Sequence, residues 1–255
     1  MIAILKRKQI ISPGYTLYIL EGKEIAATAE PGQFLEVRVS KGSHPAMRKP
    51  LSVFCTEGDT FGLLVKTDGY GANLMKRWEP GEEVDIIGPL GRGFRFSRDD
   101  NDFILVAGGV GLSPLNFLSQ ELSKKGKNVH LIYAPKRSAV LLDAFSVKSG
   151  VNIHLSEHDV LFGIDTIADD MKKLISTVEN PCGVYTCGPN EFMKLVSETA
   201  SSCGLQTQVS LETRMSCGMG VCLGCVVAIR SGDDWEHKTV CHDGPVFLGE
   251  EVIFG

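Results

Sequence analysis

The chain has 255 residues, 43% hydrophobic and 22% charged, with a formal net charge of −5. That length suits one or two domains, and that balance suits an ordinary globular protein. The excess of acid leaves no broad basic surface for a phosphate backbone, which argues against nucleic-acid binding.

From the N-terminus, residues 2–5 form an apolar run too short for a signal-peptide core, and the basic residues follow it rather than precede it. Through residue 97 the pattern reads as β. QFLEVRVS puts Leu35, Val37 and Val39 on one face at period two, and TFGLLVKT and EEVDIIG are short runs of the same kind. Pro31-Gly32, Glu57-Gly58-Asp59, Pro80-Gly81 and Gly88-Pro89 supply turns. Short strands so punctuated predict a small barrel or sandwich, interrupted by one helix at residues 72–78.

Beyond residue 100 strands and helices alternate. DFILVA, NVHLIYA, VNIHL, GVYTCG and, last, QTQVSL read as strands. SPLNFLSQELSKKG, TIADDMKKLIS and NEFMKLVSETASS read as helices, with Leu115, Leu118 and Leu122 on one face of the first and Ile167, Met171 and Leu174 on one face of the second. The alternation predicts a parallel sheet of βαβ units. The most apolar stretch, residues 103–118, is broken by Gly108, Gly109, Gly111, Pro114 and Asn116 and cannot span a bilayer, so the expected location is the cytoplasm. Residues 211–255 are too few and too cysteine-rich for a core of their own and call for an inorganic staple.

That tail holds the most informative motif. Of eight cysteines, four are dispersed and read as small buried hydrophobes. Cys217, Cys222 and Cys225 follow the spacing C-x₄-C-x₂-C, and Cys241 comes after fifteen intervening residues, the plant-type [2Fe–2S] spacing. Thiolate sulfurs of a cluster anion need hydrogen-bond donors, and Gly218, Gly220 and Gly224 let the backbone approach and take any positive φ required. The competing reading is a four-cysteine structural zinc, which favours paired knuckles rather than one glycine-lined loop and a distant fourth ligand.

Three other stretches bear on ligands. AGGVGLSP places Gly109 and Gly111 between a strand and a helix, suiting a phosphate at a helix N-terminus or a plain tight βα turn. CGPNEFM, from Cys187, lies at a strand's carboxyl end, a ligand site or simply a buried cysteine before a helix. MRKPLSV and VKTDGYGANL could set Arg48, Lys49, Lys66 and the backbone near Gly71 and Ala72 around a pyrophosphate, or form a solvated basic edge. No hydrolase signature and no paired histidine ligands are present, so no catalytic acid, base or nucleophile is assigned.

Together, RKPLSV, IIGPLGRGF, LVAGGVGLSPL, CGPNEFM, SLETRMSCGMGVCLGCVV and VCHDGPVF resemble the ferredoxin-reductase family, and within it the electron-transfer subunits of type B dihydroorotate dehydrogenases, over nearly the whole chain. The resemblance implies an antiparallel FAD-binding β-barrel at residues 1–98, a Rossmann-like NAD-binding domain at 99–210 and a [2Fe–2S] segment at 211–255. It implies that Lys49, Pro50, Leu51 and Ser52 hold the isoalloxazine, with the Ser52 hydroxyl near flavin N5. The flavin phosphates fall to Leu64, Val65, Lys66, Gly71 and Ala72, and NAD(H) to Gly109, Gly111 and the turn from Cys187. The cluster falls to Cys217, Cys222, Cys225 and Cys241.

The implied partner is an FMN-containing catalytic subunit that oxidises dihydroorotate, in a heterotetramer of two of each, with electrons passing from FMN to cluster to FAD to NAD⁺. Arg48 and Lys49 compete for the flavin phosphate. Ala72 replaces a hydroxyl-bearing residue common in the family, and HDVLFG replaces an acidic, glycine-rich loop. NAD(H) is expected over NADP(H), although Lys136 and Arg137 form a basic pair that could hold a 2′-phosphate. The alternatives are an electron-transfer subunit of another oxidoreductase, such as a cytosolic hydrogenase or a ferredoxin–NADP reductase complex, and a zinc-stabilised adaptor without redox activity.

Overall fold

In the computed structural model, which describes residues 1–135, 151–156, 160 and 164–255, the N-terminal third is an antiparallel, barrel-like sheet. Its strands are β1 (Ile2–Ser12), β2 (Tyr15–Glu21), β3 (Phe34–Val37), β4 (Lys49–Ser52), β5 (Cys55–Glu57), β6 (Thr60–Lys66) and β7 (Glu83–Leu90), in the order β4-β3-β7-β1-β2-β6-β5. Alternation sends Leu35, Val37, Leu63, Val65, Val84 and Ile86 inward to one core.

Two short helices interrupt this sheet where the sequence predicts one. The unforeseen α1 (Lys23–Thr28) buries only Ile25, so it carries no apolar periodicity to read. The expected helix at 72–78 is α2 (Tyr70–Met75). It stops early because Trp78 turns back into the barrel, stacking edge-on against Tyr18 at 5.6 Å and donating from its indole N–H to the Val39 carbonyl.

The central region runs β8 (Asp102–Gly108), a 3₁₀ turn (Gly109–Gly111), α3 (Leu112–Lys124), β9 (Asn128–Ala134), β10 (Val151–Leu155), α4 (Ile164–Thr177), β11 (Pro181–Cys187), α5 (Asn190–Ser202) and β12 (Thr207–Ser210). The strands β10-β9-β8-β11-β12 are parallel, as predicted. The chain lays β9 and β10 on one side of β8, then returns to lay β11 and β12 on the other. The reversal makes the carboxyl ends of β8 and β11 a topological switch point, where open α/β sheets bind ligands.

The predicted apolar face of α3 is buried, and so is much of the opposite face, because the barrel lies across it. Phe117 enters the barrel core and Asn116 donates to the Phe54 carbonyl at 2.8 Å. Ile167, Met171 and Leu174 of α4 are buried as expected.

QTQVSL is not the last strand. The tail forms a hairpin, β13 (Val226–Ser231) and β14 (Asp234–Thr239), and then β15 (Val246–Leu248), which pairs antiparallel with β12. Cys225, Ile229, Val240, Cys241, Phe247 and Val252 of the tail share one core with Ile104, Val106 and Val209 of the sheet and with Phe34 of the barrel. The tail therefore borrows the core that its own length could not supply.

Candidate functional site

The cysteine loop follows β12. Gly218 and Gly220 have φ of +69° and +78°, and Leu223 takes the third left-handed position at +54°. A Cβ on Gly218 would lie 2.5 Å from Glu36 Cγ, and one on Gly220 would lie 2.9 Å from His242 Cβ. Both glycines are thus demanded by φ and by packing.

The wrapped backbone aims donors at sulfur. Met219 and Cys222 N–H groups point to Cys217 Sγ at 3.4 Å, Gly224 N–H to Cys222 Sγ at 3.4 Å, Gly220 N–H to Cys241 Sγ at 3.1 Å and Cys241 N–H to Cys225 Sγ at 3.4 Å. The Met219 and Cys222 donors pull the Cys217 thiol down to about 6. Burial and the neighbouring Cys225 push Cys241 up to about 12.

The thiols come as two pairs. The Cys222 thiol donates a hydrogen bond to Cys217 Sγ, and Cys225 and Cys241 lie 3.3 Å apart between sulfurs. Among the described residues no group of three or more such ligands could hold a single metal ion. Two thiol pairs supplied with backbone N–H donors fit a two-iron cluster, which takes two cysteines at each iron and needs hydrogen bonds to its sulfurs.

A cleft of about 310 Å³ opens between barrel and sheet, within the size range of small-molecule sites. Lys49, Pro50, Leu51 and Ser52 line it from β4, and Leu64 and Lys66 from β6. Val110 and Ser113 contribute from the sheet side, Phe34 from β3, and the tail supplies Leu211, Glu212, Thr213, Met215 and Pro245. Apolar walls with hydroxyls and ammonium groups at the edges suit a flat heteroaromatic ring.

A second hollow, of about 320 Å³, lies at the switch point against Gly108, Gly109, Val110, Gly111, Gly188, Pro189 and Asn190. Lys66, Val110 and Glu212 line both spaces. Lys66 is ion-paired with Asp68. Protein surrounds Glu212 on most sides while its surface stays open to the cleft; this burial raises its carboxyl, and Lys49 opposes the rise.

The predicted site residues sort by geometry. Of the competing pair, Lys49 faces the cleft, while Arg48 is tied to Asp85 at 2.6 Å through its guanidinium. Val65 and Ala72 point into the barrel core, leaving only their backbones to meet a ligand. Gly71 lies along the Lys49 stem, its Cβ position 3.9 Å from Lys49 Cδ.

Gly109 lines the hollow with φ of +56°. A Cβ on Gly111 would meet the Cys187 carbonyl at 2.2 Å, so that glycine is required by the crossing of two βα turns. Cys187 is buried behind the hollow, which presents Gly188, Pro189 and Asn190 instead. Lys136, Arg137 and all of the HDVLFG loop except Val160 lie outside the described residues. Glu212, Thr213 and Met215 escaped the sequence reading; their only signal was adjacency to the cysteine loop.

The profile of the iron-sulfur cluster binding domain of dihydroorotate dehydrogenase B matches residues 212–253. The chain is 31% identical over 249 residues to the electron transfer subunit of dihydroorotate dehydrogenase B (NAD(+)) from Desulforamulus reducens, covering 96% of this chain and 95% of that one. It is 31% identical over 257 residues to the same subunit of Shouchella clausii, covering 99% and 97%.

Among solved structures it superposes on an NADH-dependent reduced ferredoxin-NADP oxidoreductase, studied for flavin-based electron bifurcation, with TM-score 0.80, 26% identity and coverage of 99% and 90%. Phthalate dioxygenase reductase shares the fold at TM-score 0.61 and 20% identity, over 95% of this chain and 77% of that one. With its thiol pairs, its cleft and these full-length relatives, the chain belongs to the family of dihydroorotate dehydrogenase B electron transfer subunits.

Proposed function

We propose that the chain carries electrons between an FMN-bearing subunit that oxidises dihydroorotate and NAD⁺, in pyrimidine nucleotide synthesis. When bound, FAD and a [2Fe–2S] cluster supply the electron carriage, the flavin joining one-electron traffic through the cluster to two-electron exchange with NAD(H). The observation that carries this reading is the continuity of cleft and thiol loop. Leu211, Glu212, Thr213 and Met215 line the cleft, and Cys217 follows Met215 by two residues.

Cys217 and Cys222 would hold one iron and Cys225 and Cys241 the other. Lys49, Pro50, Leu51 and Ser52 would seat the isoalloxazine, and the backbones of Leu64, Val65, Gly71 and Ala72 with the Lys66 ammonium would take the phosphates. NAD(H) would enter the hollow at Gly109 and Gly111, against the turn that follows Cys187. Residues 1–98, 99–210 and 211–255 then act as FAD, NAD and cluster units.

Around the thiols the loop exposes Met219, Val221 and Leu223, with Met47 beside Ser216. Val221 is 79% exposed, and such an apolar rim supports a partner subunit covering this end. The assembly is a heterotetramer of two subunits of each kind in the cytoplasm. No described helix is long and apolar enough to cross a membrane.

The similarity to the ferredoxin-NADP oxidoreductase favours a second reading, an electron-transfer subunit of another oxidoreductase. The purified chain is expected to show flavin and iron–sulfur absorbance but no dihydroorotate-dependent flavin reduction, because on this reading the cleft and the hollow are taken up by FAD and NAD(H) and dihydroorotate oxidation falls to the FMN subunit. Adding the FMN subunit should give dihydroorotate-dependent reduction of NAD⁺. Turnover of dihydroorotate by the chain alone, or no coupling with the FMN subunit present, would overturn the reading.

A further inference from the structure

Three residues line both the barrel cleft and the switch-point hollow: Lys66, Val110 and Glu212. Val110 is apolar and the Lys66 ammonium is engaged by Asp68. Glu212 is the remaining ionisable group at the seam. It follows β12 directly, where the chain leaves the sheet for the thiol loop. The charged and titratable groups that act on it are Lys49 across the cleft and the buried Cys187 thiol behind it.

We infer that Glu212 is a specificity-determining residue that reads the charge of the nicotinamide ring, favouring the oxidised, cationic ring over the neutral reduced one. The inference rests on the proposed seating of FAD in the cleft and NAD(H) in the hollow. For hydride to pass between them, the nicotinamide must reach the seam where the two spaces meet. There a ring with a full positive charge and a ring with none differ little in shape. A carboxylate at the seam is the means by which this protein can tell them apart, since attraction between opposite charges is strong where protein displaces water. Such a preference suits a chain whose task is to load electrons onto NAD⁺, because it binds the acceptor and releases the product. Lys49, which lines the same cleft, opposes the rise that burial gives the carboxyl and so favours its charged form.

The test uses the oxidised full-length holoprotein, with binding read from perturbation of the flavin absorbance. Three probes are titrated: NAD⁺, tetrahydro-NAD, whose ring is neutral and cannot give up hydride, and ADP-ribose, which has no ring. In Glu212→Gln the affinity for NAD⁺ should fall on the order of tenfold, with tetrahydro-NAD and ADP-ribose unchanged. Glu212→Asp should retain the preference for NAD⁺. Flavin content measured on each variant reports folding of the site.

An equal fall for NAD⁺ and tetrahydro-NAD, or no change for either, would overturn the inference while leaving the wider reading intact. A wild-type holoprotein that binds none of the three would overturn both.

Discussion

Glu36 is the residue least at ease in the fold. It lies on β3 facing away from the barrel core, where an alternating strand would place it in water, yet it is only 1% exposed because the cysteine loop covers it. Neither carboxylate oxygen has a hydrogen-bond partner among the described residues. Burial pushes its carboxyl up to about 7, Arg48 pulling the other way and Cys217 adding to the rise.

Because the folded-state value lies above the unfolded one, the contribution of this group to stability is intact below about pH 4 and is lost as pH rises through about 7. Glu36→Gln should therefore stabilise the holoprotein on the order of 2 kcal/mol near pH 8 and by much less near pH 5, checked by thermal unfolding at the two pH values. A gain of equal size at both would show that charge is not the cause. Gly218 presses on the same carboxyl, which ties the barrel strand to the loop that carries Cys217.

Among the elements, α3 is the joint between the two halves. One face puts Leu115, Leu118 and Leu122 on the sheet, and the other puts Phe117, 1% exposed, into the barrel core, while Asn116 bonds to Phe54. Ser113 adds a hydroxyl to the Ser52 carbonyl at 3.4 Å, in the β4 strand that lines the cleft. Phe117→Ala removes the largest wedge at this joint and should cost about 3–5 kcal/mol, the usual range for truncating a buried aromatic. Denaturant unfolding followed by flavin release should shift accordingly. Lys124→Ala, at the exposed end of the same helix, should leave the curve within about 0.5 kcal/mol.

At the scale of the whole molecule, the chain runs from barrel to sheet and then returns, so that its last forty-five residues touch both earlier parts. They complete the cleft wall with Glu212, Thr213, Met215 and Pro245, carry the thiols and close the sheet edge with β15. The cleft and hollow thus lie apart from the thiol loop along the tail. On the proposed reading, reduction of flavin by NADH would draw on the cleft and hollow, whereas exchange with the partner would draw on the thiol loop.

Cys225→Ser should abolish the cluster absorbance and coupled dihydroorotate–NAD⁺ turnover, while NADH-driven reduction of a dye that takes electrons directly from the flavin largely persists. Loss of the metal can also loosen the tail, since ligand binding contributes folding energy, so FAD content and assembly with the partner are measured alongside. A variant without cluster bands that still assembles and couples at the native rate would show the loop to be structural only.

By itself the sequence determined what depends on neighbours along the chain. The C-x₄-C-x₂-C spacing, with glycines at 218 and 220, specified a thiol loop because one short stretch supplies three ligands and the left-handed turns that wrap them. Strand and helix alternation beyond residue 100 was legible because periodicity reports which side of an element is buried. The β4 stretch from Lys49 to Ser52 was legible through family likeness rather than pattern.

Tertiary structure decided what depends on distant partners. Cys225 pairs with Cys241 only because the tail turns back after its hairpin. Gly111 is a glycine because the Cys187 carbonyl crosses it, and α3 is buried on both sides because the barrel lies over it. Glu212 stands next to the cysteine loop in the sequence, but no local periodicity or spacing gives it a role. Its place at the seam exists only once barrel, sheet and tail have met, since burial and electrostatic fields are set by whatever packs around a residue and not by its neighbours in sequence.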